Sequence, residues 1–191
     1  MAVIEQRMSL EVFLELPEKK PALEYENGMV TQKVPPQGKH SRLQYTVAER
    51  FNRFAEPKQL GMAFPELRTT FAGVSRVPDV AVYGWDRIPW AADGRIGDEF
   101  REPPDIAVEI ISPGQRPNAL VRRCLWYVAH GVKVALLVDP YDETVLLFRP
   151  GQVPVHLQGT DLIDLSDVLT GFSITAEEIF GTLRRRLEGR D

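Results

Sequence analysis

Glu109 stands inside an apolar run, Ile106-Ala107-Val108-Glu109-Ile110-Ile111. A carboxylate in a buried strand is costly unless a cation pairs with it or it ligates a metal. Strand alternation sends Val108 and Ile110 to one face and Glu109 to the other, with Ala107 and Ile111. A carboxylate at a sheet edge, paired with an arginine, is the competing reading. Asp79 opens a second apolar strand in Arg76-Val77-Pro78-Asp79-Val80. If those strands are neighbours, the two carboxylates converge. They then repel unless a hard cation such as Mg²⁺, which takes oxygen ligands, sits between them.

Other candidates are less specific. Pro104-Asp105 repeats the Pro-Asp step with a similar sequel, so one of Asp79 and Asp105 is expected to be only a strand start. Glu24 sits in a polar hairpin strand with Glu26 as its competitor, and each taken alone reads as solvated. His40 opens a helix, where capping or a loop role is the plain alternative. His130 and His156 have no metal-ligand spacing with any other residue. No glycine-rich phosphate loop, serine elbow or His-Glu-x-x-His motif is present.

The elements that must position these residues follow from local pattern. Ser9 caps a short helix that runs to Leu16 before Pro17. Leu23 to Val34 reads as a hairpin around Glu26-Asn27-Gly28. His40 to Ala55 has Leu43, Val47, Phe51 and Phe54 at helical spacing. Met62 to Phe71 is mixed, whereas Val77 to Tyr83 and Asp105 to Ile111 are strands. Pro117 starts a helix ending at Gly131, with a stripe of Leu120, Val121, Cys124, Leu125 and Val128. Val132 to Val138 is a strand covered on both faces. Strands at Thr144 to Arg149 and Val153 to Leu157 follow. A last helix runs from Thr175 to Arg186, and Arg184-Arg185-Arg186 at its end complements the helix dipole. Helices interleave with strands, so the fold class is α/β with a mixed central sheet flanked by helices. The segment 84–103, with Trp85 and Trp90, reads as a structureless insertion of the kind that forms lids, binding loops or oligomer contacts.

The 191 residues are expected to form a single domain, 1–191, with a full core. Apolar residues make up 43% and charged residues 26%, which excludes a disordered chain. With 27 acids against 23 bases the net charge is −4, which argues against a protein that coats nucleic acid but leaves room for a local basic groove. Lys39, Arg42, Arg68, Arg76, Arg116 and Arg122 are candidates for such a rim. The single Cys124 excludes an intrachain disulfide and a four-cysteine zinc site, and a reducing cytoplasm is the expected home. Neither a signal peptide nor a membrane span is legible.

Taken in order, Glu24-Tyr25-Glu26-Asn27-Gly28, His40-Ser41, Arg76-Val77-Pro78-Asp79-Val80, Pro103 to Pro113, Tyr127 with Gly131-Val132, and Leu137-Val138-Asp139-Pro140 resemble the Uma-two family of restriction-endonuclease-like proteins. The resemblance runs from about residue 9 to 183. It implies the PD-(D/E)xK nuclease fold and a metal cluster made by Asp79, Glu109 and Glu24. It favours Asp79 over Asp105. The lysine such nucleases use is implied at the position of Arg123, four residues before Tyr127, and here it is an arginine. Arginine stays charged and does not readily act as a base. Arg123 and His40 are then expected to contact the scissile phosphate.

The expected function is a Mg²⁺-dependent endonuclease acting on DNA, with Mn²⁺ as an alternative metal, working as a homodimer. The alternative is a catalytically silent nuclease fold that binds nucleic acid or a protein partner. A third reading is an oligomeric scaffold whose two-tryptophan insertion forms the dimer surface.

Overall fold

The computed structural model describes residues 3–4 and 8–185. In chain order the elements are β1 (Val3–Ile4), α1 (Leu10–Leu14), β2 (Leu23–Glu26), β3 (Met29–Gln32), α2 (Gly38–Ala55), β4 (Gly61–Pro65), β5 (Thr69–Phe71), β6 (Val74–Arg76), β7 (Val80–Gly84), β8 (Ile106–Ile110), α3 (Pro117–Ala129), β9 (Val134–Asp139), β10 (Thr144–Phe148), β11 (Val155–Gln158) and α4 (Ala176–Phe180).

The larger sheet has the order β11-β10-β9-β8-β7-β4. Only β8 and β9 run parallel in it, with Ile106 opposite Val134 and Ile110 opposite Val138. A parallel pair needs a crossover, and α3 supplies it. The mixed sheet flanked by helices is therefore present as expected. Alternation along β8 sorts its side chains. Ile106, Val108 and Ile110 join the core under α2, with Leu43, Val47 and Phe51. Ala107 and Ile111 pack on the opposite face against Leu120, Cys124, Tyr127 and Val128 of α3. Glu109 shares that second face.

A second sheet, order β1-β3-β2-β6-β5, stands beside the first. The hairpin β2-β3 turns through Asn27 and Gly28, both at positive φ (51° and 82°), as a tight Asn-Gly hairpin requires. A second hairpin, β5-β6, adds to the elements read from the sequence. It turns at Ala72-Gly73, where an alanine takes φ 49°, and each strand has only three residues.

Three expectations need correction. The stripe on α3 does not include Leu125, which is exposed; Tyr127, fully buried, takes part instead. The C-terminal helix stops at Phe180 and continues only as a 3₁₀ turn over Gly181–Leu183. Arg184 pairs with Glu143 at 2.6 Å instead of completing a helix end, and Arg186 lies outside the described residues. Segment 84–103 is not structureless. It carries a 3₁₀ turn at Trp85–Arg87 and bridges from Trp90 to Ile96 and from Phe100 to Thr69. Ile88 and Phe100 are buried beside Tyr83.

Candidate active site

Three carboxylates meet where the two sheets adjoin. Glu24 comes from β2, Asp79 from the residue before β7, and Glu109 from β8. All three are nearly sealed from solvent, at 4%, 2% and 2% exposure. Such burial of charge requires partners, and each carboxylate has several.

Asp79 begins where the β7-β8 ladder ends. The pairing stops at Val80 opposite Val108, and the Asp79 carboxylate takes over as acceptor. Its Oδ2 receives the Ile110 N–H at 2.7 Å. The same oxygen lies 3.0 Å from His40 Nε2, and Oδ1 receives Lys33 Nζ at 2.6 Å. Burial works to raise the Asp79 pKa. Lys33 and His40 outweigh it and bring the value down to about 2.

Glu24 is held in a fork. Arg123 donates to Oε1 at 2.9 Å and to Oε2 at 2.7 Å, and the Val77 N–H donates to Oε1 at 2.9 Å. Burial opposes ionisation here also, yet Arg123, Lys33 and Val77 bring the pKa below the ordinary glutamate value.

Glu109 is the least well compensated. Tyr127 donates its hydroxyl to Oε1 at 2.7 Å, and Arg123 Nη1 reaches the same oxygen at 3.4 Å. Burial pushes its pKa up, and the charges of Asp79 and Glu24 push it further, against Arg123 and Lys33. Three carboxylates thus face two permanent side-chain cations and His40. The deficit falls on Glu109.

A cavity of about 730 Å³ opens onto this cluster. Glu24, Lys33, His40, Asp79, Glu109 and Arg123 all line it, and Ser112, Gln115 and Trp126 contribute to its wall. Of the six basic residues expected at the rim, Arg76, Arg116 and Arg122 line the cavity. Lys39, Arg42 and Arg68 instead lie over the rings of Tyr141, Tyr45 and Phe13. Arg76 is held by Glu26 at 2.9 Å and by the face of Trp126.

The structure thus brings all five candidates, Glu24, His40, Asp79, Glu109 and Arg123, to one cavity. It adds two that sequence reading missed as site residues. Tyr127 was visible only as a landmark of the resemblance, although its spacing from Leu120 and Cys124 marks the buried face. Lys33 gave no signal, because a lysine just past a polar hairpin strand reads as solvated. Asp105 is not among the residues that line the cavity. Its carboxylate binds Arg87, Lys133 and the Gly84 N–H, away from the cavity.

The donor set is all oxygen and suits a hard divalent cation. Among the described residues, however, no three His, Cys, Asp or Glu side chains are gathered as a ready metal cage. Glu24 is committed to Arg123. Asp79, which accepts the Ile110 N–H, and Glu109, the residue before Ile110, are the pair whose chemistry fits.

The family model for Uma2, described as "Putative restriction endonuclease", matches residues 10–177. The chain belongs to the Uma2 family. No curated protein matches it. Among solved structures, the chain is similar to a crystal structure described as "a putative nuclease belonging to DUF820" from Anabaena variabilis. It is 35% identical, with a TM-score of 0.88, over 93% of this chain and 99% of that one. Uma2 membership and this neighbour agree with the restriction-endonuclease-like fold. In this Uma2 chain no helix among the described residues is long and apolar enough to cross a membrane.

Proposed function

We propose that this protein is a Mg²⁺-dependent endonuclease that hydrolyses phosphodiester bonds in DNA, with Mn²⁺ as a substitute metal. The observation that carries this reading is the meeting of Asp79 and Glu109, with Arg123 beside them, at the floor of a cavity also lined by Arg76, Arg116 and Arg122. Acid at the floor and base on the wall is the arrangement a cation and a phosphate would each seek. Asp79 and Glu109 would hold the ion, and Glu24 would join as a third ligand only by releasing Arg123. When bound, the ion would supply a water of lowered pKa and a counter-charge to the phosphate.

The chain's own residues do the rest. Tyr127 fixes Glu109, and the Ile110 N–H and His40 fix Asp79, so both carboxylates are oriented before substrate arrives. Arg123 remains cationic throughout, because its pKa is raised above the ordinary arginine value: burial acts to lower it, and Glu109 and Glu24 outweigh burial. It contributes fixed positive charge to the floor. Arg116 and Arg122, both on the α3 side of the cavity, would bind backbone phosphates flanking the scissile bond. A homodimer would present two such cavities, one for each strand of a duplex.

Nicking of supercoiled plasmid in Mg²⁺ or Mn²⁺ tests this reading. The wild type is expected to cut, and Asp79→Asn and Glu109→Gln are expected to lose cutting. Equal activity in all three proteins would show that another site is responsible. The second reading, a silent nuclease fold that binds nucleic acid or a protein partner, is favoured by the Arg123 fork on Glu24. Calorimetry separates the two, since a silent protein takes up no Mg²⁺ or Mn²⁺ near millimolar concentration.

A further inference from the structure

Arg123 reaches the carboxylate cluster but spends its donors there. It makes two bonds to Glu24 and a longer one to Glu109. A second cation enters the same cluster from the small sheet. Lys33, just past β3, is almost buried, with 11% of its side chain exposed. Its Nζ donates to Asp79 Oδ1 at 2.6 Å and to the Val77 carbonyl at 2.8 Å. An ammonium has three N–H donors, so among the described residues these two bonds leave one. Lys33 is also among the residues that line the cavity.

Nothing in the architecture of the small sheet calls for a lysine here. The hairpin is already registered by the Leu23 to Gln32 and Glu26 to Met29 pairs, and the Lys33 backbone N–H bonds the Ala22 carbonyl whatever its side chain. Burying an ammonium is costly, and its pKa stays above the ordinary lysine value only because Asp79 and Glu109 outweigh that cost. A compact point charge with a spare donor, facing a cavity beside the paired carboxylates, matches the needs of a phosphate oxygen that gains charge during hydrolysis.

We propose that Lys33 is a catalytic residue of this site, its spare N–H donating to a non-bridging oxygen of the phosphodiester under attack. The proposal rests on the endonuclease reading above. No proton changes hands at Lys33 in this role; the ammonium binds the developing charge. Because the same nitrogen holds Asp79 Oδ1, Lys33 and a divalent ion also share that carboxylate. A catalytic Lys33 thus opposes metal binding while it promotes cutting. A lysine that merely held Asp79 in place would oppose the ion through the same contact, and its loss would leave kcat at saturating metal unchanged.

The test is Lys33→Met, with Lys33→Gln as a second neutral variant that can still reach Asp79 and the Val77 carbonyl should methionine prevent folding. Plasmid nicking and Mn²⁺ calorimetry are run on each folded protein. The expected result is a fall in kcat of at least about 100-fold, the scale on which a single transition-state donor acts, with KM little changed. Mn²⁺ binding is expected to tighten by at least about fivefold, the effect of one unit charge at ion-pair distance even in a water-like dielectric. A folded variant that keeps wild-type kcat, or one that binds Mn²⁺ more weakly than the wild type, would overturn the role assigned to Lys33. A wild type that never cuts would overturn the endonuclease reading itself and this role with it, and the wild-type arm alone reveals that outcome.

Discussion

The Arg123 guanidinium grips the Glu24 carboxylate through both terminal nitrogens, at 2.9 and 2.7 Å, with 14% and 5% of the two side chains exposed. Arg123 lies on α3 and Glu24 on β2, so this pair ties the crossover helix of the large sheet to the small sheet. Removing one member leaves the other buried without its main partner. Arg123→Met is therefore expected to cost about 3–5 kcal/mol in urea unfolding. The double variant Glu24→Gln with Arg123→Met is expected to recover much of that loss. Additive losses in the two single variants and the double would contradict the pairing.

Tyr127→Phe removes the shorter of the two hydrogen bonds to Glu109 described above. The longer one, from Arg123 at 3.4 Å, remains. The expected cost is about 1–3 kcal/mol, the penalty of leaving a buried acceptor underserved. Chemical denaturation of the two proteins measures it. No change in stability would mean that the hydroxyl contact does not persist in solution.

Much of this site was legible before the fold was known, for identifiable reasons. Glu109 and Asp79 stood out because a charge inside an apolar strand is expensive, and β8 proved to be a central strand with neighbours on both sides. The Asn27-Gly28 turn and the helix start at Thr175 also follow from local chemistry, and both are present. What could not be read depends on contacts distant in sequence. Lys33 meets Asp79 across 46 positions, and Glu24 meets Arg123 across 99. Only the resemblance pointed to Arg123, and nothing pointed to Lys33. The β5-β6 hairpin was hidden because Ala72 occupies a turn position where Asn or Gly is the usual signal. The packing of segment 84–103 hangs on Ile88 and Phe100, two apolar residues too widely spaced to form a periodic pattern.

Asp105 gives a pH dependence with a definite sign. Burial acts to raise its pKa, but Lys133, the Gly84 N–H and Arg87 together hold it below the ordinary aspartate value. The folded state therefore binds this proton more weakly than the unfolded chain does. Its contribution to stability is present above the unfolded aspartate value, about 3.9, and is lost as pH falls through the lower folded value. Asp105→Asn is expected to lower stability at neutral pH and to flatten that part of the acid limb. Thermal melts of both proteins from neutral to acid pH check it. Parallel acid limbs would assign the transition to other groups.

Cys124 is fully buried on the inner face of α3. Burial pushes its thiol pKa well above the ordinary value, with the Glu109 charge adding to the effect. Reactivity needs the thiolate and access to it. The native protein is expected to react with a disulfide reagent such as DTNB only at the rate of unfolding, and denatured protein at once with one thiol per chain. Rapid labelling of the native state would show that α3 opens locally.

The central claim is that Asp79 and Glu109 together hold a divalent cation. Anomalous diffraction from crystals soaked in Mn²⁺ tests it most directly. The account predicts one anomalous peak within ligand distance of both carboxylates. No peak at this pair, with Lys33 still seated on Asp79 and Arg123 still clamping Glu24, would contradict it.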